Sequence, residues 1–398
     1  MKRHVVIFIG IEFFYWFAMA CASFLTVFLE AKGFSITQVG MINTVCSVAA
    51  IIASPIGGVI ADRMQSSRKG AIVCALGLAV SYLMVPLSSY VKGISTVLMV
   101  LFILIFKSFN GSSQSLMEAT VIDGCSKTDI KYGRVRVFGT ISFVIMSLSL
   151  GLLINEGNVP LTFYLLGVTM LPCVWFLMDL RNVIEDSKSG KTVSLRNLPF
   201  KQLLSNPYFI AYIIFCMIQY IPQMSVYNYQ PYLIKEVGAN MGLIGILQAY
   251  RACFEIPVLL FADKIEKRIS YRTMTIVAAL FYAIQSIIYR YVNSFGGILA
   301  ATTFSGFASG FFIAGSAKYV FTLAPKELVS TAQTLVAATS ALAGIIGNLM
   351  GTLLVENIGL RPFFFITGLI MLVGTIFYIG TFVYIRKCLK VPYNEKIL

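Results

Sequence analysis

The sequence predicts an all-α membrane protein of twelve transmembrane helices in two pseudo-symmetric six-helix halves. Three observations predict it. The 398 residues are 58% hydrophobic and only 12% charged, with mean hydropathy +0.83, far less charge than a soluble surface of this size carries. Apolar runs of about 18 residues or more recur from end to end, the length at which a helix crosses a bilayer core. Lys and Arg crowd into alternate connections between those runs, as the positive-inside rule requires. The net charge of +14 therefore follows the membrane, and no nucleic-acid partner is expected.

Taken in order, the spans are 5–29, 37–61, 70–91, 95–123, 135–155, 160–180, 207–234, 241–262, 273–293, 297–322, 329–355 and 361–385. The first is too long and too aromatic for a cleaved signal peptide, so it reads as a retained helix. With the N-terminus in the cytoplasm, the basic groups from Lys2 and Arg3 through Arg68, Lys69, Arg134, Arg181, Lys201 and Arg272 to the tail fall on the inner side. The outer loops and rims keep only Lys32, Lys92, Lys235, Arg290 and Arg361. Both termini are thus expected in the cytoplasm of a protein that crosses the cell membrane many times, in contact with lipid throughout. Residues 181–206 form the one long polar connection, rich in Ser, Lys and Asn. It divides the chain into an N-terminal half, 1–180, and a C-terminal half with a short tail, 207–398.

Composition also excludes chemistry. The eight cysteines are scattered through apolar runs without a CxxC, and the only histidine is His4. No disulfide framework, metal cluster, cofactor site or Ser/His/Asp triad is expected. The chain does not read as an enzyme.

Span four breaks the apolar rule. It carries Lys107, Asn110, Gln114 and Glu118. At about 100° per residue, Lys107, Gln114 and Glu118 share one face, with Asn110 roughly 60° away. Ionisable groups in hydrocarbon cost several kcal/mol unless paired or hydrated, so they mark a pathway or a site. Glu12 stands about two turns into span one, beside Phe13, Tyr15 and Trp16. Span eight puts Gln248, Arg251 and Glu255 close to one face, with Arg251 and Glu255 at the i,i+4 spacing that allows a pair within the helix. Span seven adds Tyr212, Gln219 and Gln223. Its uncharged donors, acceptors and rings suit a polyhydroxylated or heterocyclic solute, and Tyr and Gln near a helix end serve equally as interfacial anchors.

An internal repeat gives the resemblance its first support. Gly57-Gly-Val-Ile-Ala-Asp62-Arg63 closes span two, and Leu260-Phe-Ala-Asp263-Lys264 closes span eight at the same place. Two six-span halves repeated in parallel are a transporter architecture with the solute site near the midplane. The Gly58-x-x-x-Asp62-Arg63-x4-Arg68-Lys69 loop resembles the loop after the second helix of the major facilitator superfamily, although the usual glycine before the basic pair is replaced around Met64-Gln65. The resemblance implies that Asp62, Arg63, Asp263 and Lys264 act as an ion-pair latch, remade as the halves rock.

Within that superfamily, Tyr132-Gly-Arg-Val-Arg136-Val-Phe-Gly139 resembles the start of the fifth helix in the lactose permease and oligosaccharide–proton symporter group. The resemblance implies that Arg136 grips sugar hydroxyls with Glu118 as its partner, and that Phe143 stands where that group stacks a tryptophan on the sugar. An arginine fork and a carboxylate are good bidentate partners for vicinal hydroxyls. A structural ion pair at the cytoplasmic rim is the other reading of the same two residues. Phe254-Glu255-Ile-Pro257 resembles the eighth-helix glutamate of the group, which makes Glu255 the expected proton carrier, with Arg251 as counter-charge; a static pair is the alternative. The chain departs from the group further on. Gln285 stands where its span-nine arginine is expected, and Ser305 and Ala308 where its span-ten His/Glu pair is expected. Proton coupling must then rest on Glu255, Glu118 or Glu12.

The expectation is a monomeric secondary transporter. It takes up a small polar solute, a sugar, oligosaccharide or nucleoside-like molecule, together with a coupling cation, the proton before sodium. The expected solute-binding residues are Glu118, Arg136, Phe143, Gln114, Gln219 and Gln223. The alternative is proton-coupled export of amphipathic or cationic compounds, with Glu12 catching the cation.

Overall fold

A computed structural model describes residues 3–64, 66–91, 93–128, 130, 132–155, 157–182, 205–324 and 329–390, apart from the side chains of 54–63, 126, 133, 263, 317, 329–331 and 334. The expected central connection, 181–206, lies almost entirely outside this description. So do the side chains of Asp62, Arg63 and Asp263 of the expected latch.

The described chain is helical throughout. Its α-helices are α1 (Arg3–Cys21), α2 (Leu25–Ala31), α3 (Ile36–Arg63), α4 (Ser67–Leu87), α5 (Ser95–Ser126), α6 (Tyr132–Leu153) and α7 (Pro160–Asp179). There follow α8 (Pro207–Glu236), α9 (Ile244–Leu260), α10 (Ala262–Glu266), α11 (Tyr271–Tyr289), α12 (Phe295–Leu323), α13 (Val329–Ile358) and α14 (Leu360–Lys387). Among the described residues, twelve helical stretches are long and apolar enough to cross a membrane. The first consists of α1 and α2, joined by a 3-10 turn at Ala22–Phe24. The eighth ends earlier than its apolar run does, because the helix breaks at Phe261 before reopening as α10. Ends are set by ordinary capping chemistry. The side chains of Ser66, Asn206, Ser270 and Ser294 each accept a backbone N–H at the start of α4, α8, α11 and α12.

The chain forms two compact units, Met1–Thr192 with Asn240–Ala249, and Val193–Ala239 with Tyr250–Leu398. The packing pattern repeats between them. In the first unit α1 packs on α6 and α7, while α4 packs on α5 and α7. In the second, α8 packs on α13 and α14, while α11 packs on α12 and α14. Aromatic rings fill both cores. Tyr82 stacks on Phe163 with centroids 4.1 Å apart and leans on Phe106 at 4.4 Å. In the second unit the Tyr319 and Tyr378 hydroxyls bond at 2.9 Å and Tyr212 donates to Ser316 at 2.8 Å, so these buried phenols keep their polar ends satisfied.

Small residues let helices approach closely, as in membrane bundles generally. A Cβ at Gly347 on α13 would fall onto the Ile221 carbonyl oxygen of α8. Gly347→Ala is therefore expected to destabilise the second unit by about 1–3 kcal/mol, read as a lower melting midpoint in detergent. Gly380, with nothing within 4 Å of the same added atom, should tolerate Ala without change.

Candidate functional site

Two polar clusters stand out, one in each unit. In the first, α1 presents Glu12 and Trp16 one turn apart, and the indole N–H donates to Glu12 Oε2 at 3.0 Å. Helix α6 brings Arg136 against the same pair. Its Nε lies 4.0 Å from Glu12 Oε2, and its Cζ sits 4.2 Å from the centre of the Trp16 ring. Tyr132, one turn before Arg136, also turns its hydroxyl onto Glu12. Glu12 is 1% exposed, a membrane-embedded carboxylate beside a cation and an indole N–H, with its Oε1 and Arg136 Nη1 buried without a hydrogen-bond partner among the described residues. Buried charge of this kind survives only when paired and hydrogen-bonded, and the cation–π contact adds about 0.5–2 kcal/mol.

Gly139 makes this arrangement possible. An added Cβ there would lie 2.6 Å from Trp16 Cδ1, 3.0 Å from Arg136 Nη1 and 3.1 Å from Glu12 Oε2. Gly139→Ala is expected to push Trp16 off the guanidinium. Trp16 and Trp175 are the only two tryptophans, so in a Trp175→Phe background the emission of Trp16 alone reports the change. A spectrum identical with and without the Gly139 substitution would show that the ring does not sit on Arg136.

The geometry revises the expected partner of Arg136. The carboxylate beside it is Glu12 of α1, whereas Glu118 of α5 accepts from its own neighbour Gln114 at 3.1 Å. Glu118 stays close enough to Glu12 for their charges to act on each other. Gln114 is exposed, and Phe143 is half-buried on α6 with no ring partner among the described residues. Lys107 is half-buried on α5, and none of the described residues offers it an ion pair or hydrogen bond.

The second unit holds a half-open cavity of about 300 Å³, lined among others by Gln223, Tyr227, Gln230, Arg251, Tyr282 and Gln285. Its walls come from α8, α9, α11, α12 and α14. At its rear, Tyr289 is held by three groups: Gln285 Nε2 at 2.6 Å, Gln230 Nε2 at 3.2 Å and Thr302 Oγ1 at 2.7 Å. Thr302 gives its own proton to the Ile298 carbonyl, 2.8 Å away. The Tyr289 hydroxyl therefore donates to Thr302 and accepts from both amides, and the amide oxygens of Gln230 and Gln285 remain available as acceptors. Tyr282 bonds to Gln223 and Ser309.

Arg251 and Glu255 do not form the expected i,i+4 pair. Glu255 Oε2 accepts from Ser309 of α12 at 2.6 Å, and the Arg251 guanidinium instead faces the Tyr227 ring at 5.6 Å. Gln219 is buried behind the cavity, its amide donating to the Met371 carbonyl at 2.9 Å and to Thr375 at 3.1 Å, so it acts as a helix tie. Near the expected latch, Lys264 is exposed with Nζ 5.3 Å from the Phe261 ring centre. Among the described residues, an ion pair near that end of the unit joins Glu266 to Lys318. Sequence reasoning missed Ser309, Gly139 and Tyr282. Two of them had a local signal: Gly139 stands three residues after Arg136, and Tyr282 three before Gln285.

This twelve-span helical bundle, with polar clusters buried in its membrane-spanning helices, defines a polytopic solute transporter. Residues 7–367 match the MFS_1 like family, and the chain belongs to that family of major facilitator transporters. It is a secondary transporter of small-molecule solutes and not an enzyme. It is 24% identical over 307 residues to the uncharacterized transporter YwbF of Bacillus subtilis (strain 168), covering 76% of this chain and 73% of that protein. It is 22% identical over 335 residues to the maltose permease of Geobacillus stearothermophilus, covering 84% and 83% of the two chains. Among solved structures, a mutant form of the nucleoside transporter NupG superposes with TM-score 0.79 at 16% identity, covering 96% of this chain and 100% of that one. A D-xylose-proton symporter superposes with TM-score 0.68 at 16% identity, covering 94% and 95%. At such identities the structures speak for the fold alone.

Proposed function

We propose that the protein is a proton-coupled symporter that takes up a small polar solute of the sugar, oligosaccharide or nucleoside class by alternating access, as a monomer in the cell membrane with both termini cytoplasmic. The observation that carries this reading is the cavity of the second unit. Amides, phenols and a guanidinium line it, and two amide oxygens stand free to accept from hydroxyls. Pockets of this kind recognise solutes rich in hydroxyl or amide groups. The relative named maltose permease supports the solute class. The Glu12–Arg136–Trp16 cluster is the matching site of the first unit: a ring to stack on and a charged fork for hydroxyls.

Glu255 is the proposed proton carrier. It takes a hydrogen bond from Ser309, and no cation of the described residues lies within 4.0 Å of it. A proton is therefore what can cancel its charge when the site faces hydrocarbon. Glu12 already has Arg136, which argues against a lone acid waiting for a cationic drug and so against the export reading. The test is a counterflow panel in proteoliposomes preloaded with neutral sugars, sugar acids, oligosaccharides, nucleosides or quaternary ammonium compounds. Accelerated exchange of a polyhydroxylated solute is the expected result; exchange of quaternary ammonium compounds alone would overturn the reading.

A further inference from the structure

The charge on Arg251 points to the chemistry of the solute. Resting on the symport reading above, we propose that the second-unit cavity selects a mono-anionic, monosaccharide-sized polyol, a sugar acid whose carboxylate is met by Arg251. Three observations carry this. Arg251 lines the cavity, and among the described residues it has neither an ion pair nor a hydrogen bond; its Nε is buried without a partner, and the ring of Tyr227 faces it at 5.6 Å. The acid one turn along the same helix, Glu255, is taken by Ser309 at 2.6 Å. The remaining polar lining is neutral: Gln223, Gln230, Tyr282, Gln285 and Ser305.

A guanidinium inside a membrane protein without a counter-ion is costly, and it is conventionally answered by a carboxylate or phosphate that its fork grips in two places. Arg251 is half-buried and faces the cavity, so a carboxylate entering there meets the guanidinium directly. Among the residues that line the cavity Arg251 carries the one charge, which matches one negative charge on the solute. A phosphate monoester carries about −1.5 to −2 at neutral pH and would leave an excess in a low-dielectric site, so the carboxylate is favoured. The free amide oxygens of Gln230 and Gln285 accept protons from hydroxyls, which suits the polyol part of a sugar acid. The volume, about 300 Å³, lies at the small end of ligand pockets and fits one sugar ring or open-chain acid rather than a chain of them.

The experiment is isothermal titration of the purified full-length protein in detergent with D-glucuronate, D-gluconate, D-glucose and D-glucose 6-phosphate. The sugar acids should bind about tenfold to a hundredfold tighter than D-glucose, the scale of a charge-assisted hydrogen-bonded contact. Arg251→Gln should erase that preference, and Arg251→Lys should restore part of it. The cooperative melting of each variant checks that it is folded. D-glucose binding as tightly as the acids, or an Arg251→Gln variant with the preference intact, would overturn the charge assignment and leave the polar-solute reading standing. Tightest binding of D-glucose 6-phosphate would overturn the carboxylate in favour of a phosphate. Binding of none of the four, with tetraphenylphosphonium bound instead, would overturn both this inference and the symport reading.

Discussion

Arg136→Gln is expected to abolish solute binding and to lower the melting midpoint of the protein more than any other single change in the first unit. The reason is Glu12, 1% exposed, with Arg136 as the cation beside it at 4.0 Å. Removing one partner leaves a carboxylate buried within the membrane span, and breaking such a pair costs about 3–5 kcal/mol. The substitution also takes the guanidinium off the Trp16 face, where its Cζ lies 4.2 Å from the ring centre. Glu12→Gln leaves the opposite charge stranded, but Arg136 is 30% exposed and can reach water, so its stability cost should be smaller. The double variant should then be more stable than Arg136→Gln alone, since the two changes share one interaction. Melting curves of the four proteins, followed by detergent-solution fluorescence, check this. Additive losses would show that Glu12 and Arg136 do not act as a pair.

Glu255→Gln is expected to eliminate uphill accumulation of solute while leaving exchange across equal concentrations largely intact. Moving an uncompensated carboxylate through hydrocarbon costs several kcal/mol, and Glu255 has Ser309 rather than a cation as its partner. Gln keeps the shape and can still accept from Ser309, so the helix contact between α9 and α12 should survive. Paired assays in proteoliposomes, one with a pH gradient and one with equal solute on both sides, separate the two effects. A variant that still concentrates solute would place coupling at Glu12 or Glu118.

The parts of this structure that depend on local pattern were legible in the sequence. Hydropathy and basic loops are properties of consecutive residues, so the twelve spans follow directly, down to the polar stripe of α5. What a helix faces is a different matter. The face carrying Glu118 reads as polar from its residues, yet nothing in the spacing tells whether α1 or α5 delivers the carboxylate to Arg136. Helix α1 does, because Gly139 opens room for Glu12 and Trp16 against α6. The i,i+4 rule likewise favours Arg251 with Glu255, worth only about 0.2–0.5 kcal/mol. A Ser309 hydroxyl 2.6 Å from the carboxylate and the ring of Tyr227 outweigh it. Weak local preferences lose to tertiary neighbours, and neighbours are what a single sequence shows least.

The central claim, that solute and proton move inward together, is tested most directly by external pH. Proteoliposomes in a lightly buffered suspension are given the solute identified by counterflow, and the pH of the medium is recorded with a glass electrode. Symport predicts a solute-dependent alkalinisation outside, abolished by a protonophore and absent with Glu255→Gln. No pH change during demonstrable uptake, or an acidification, would contradict it.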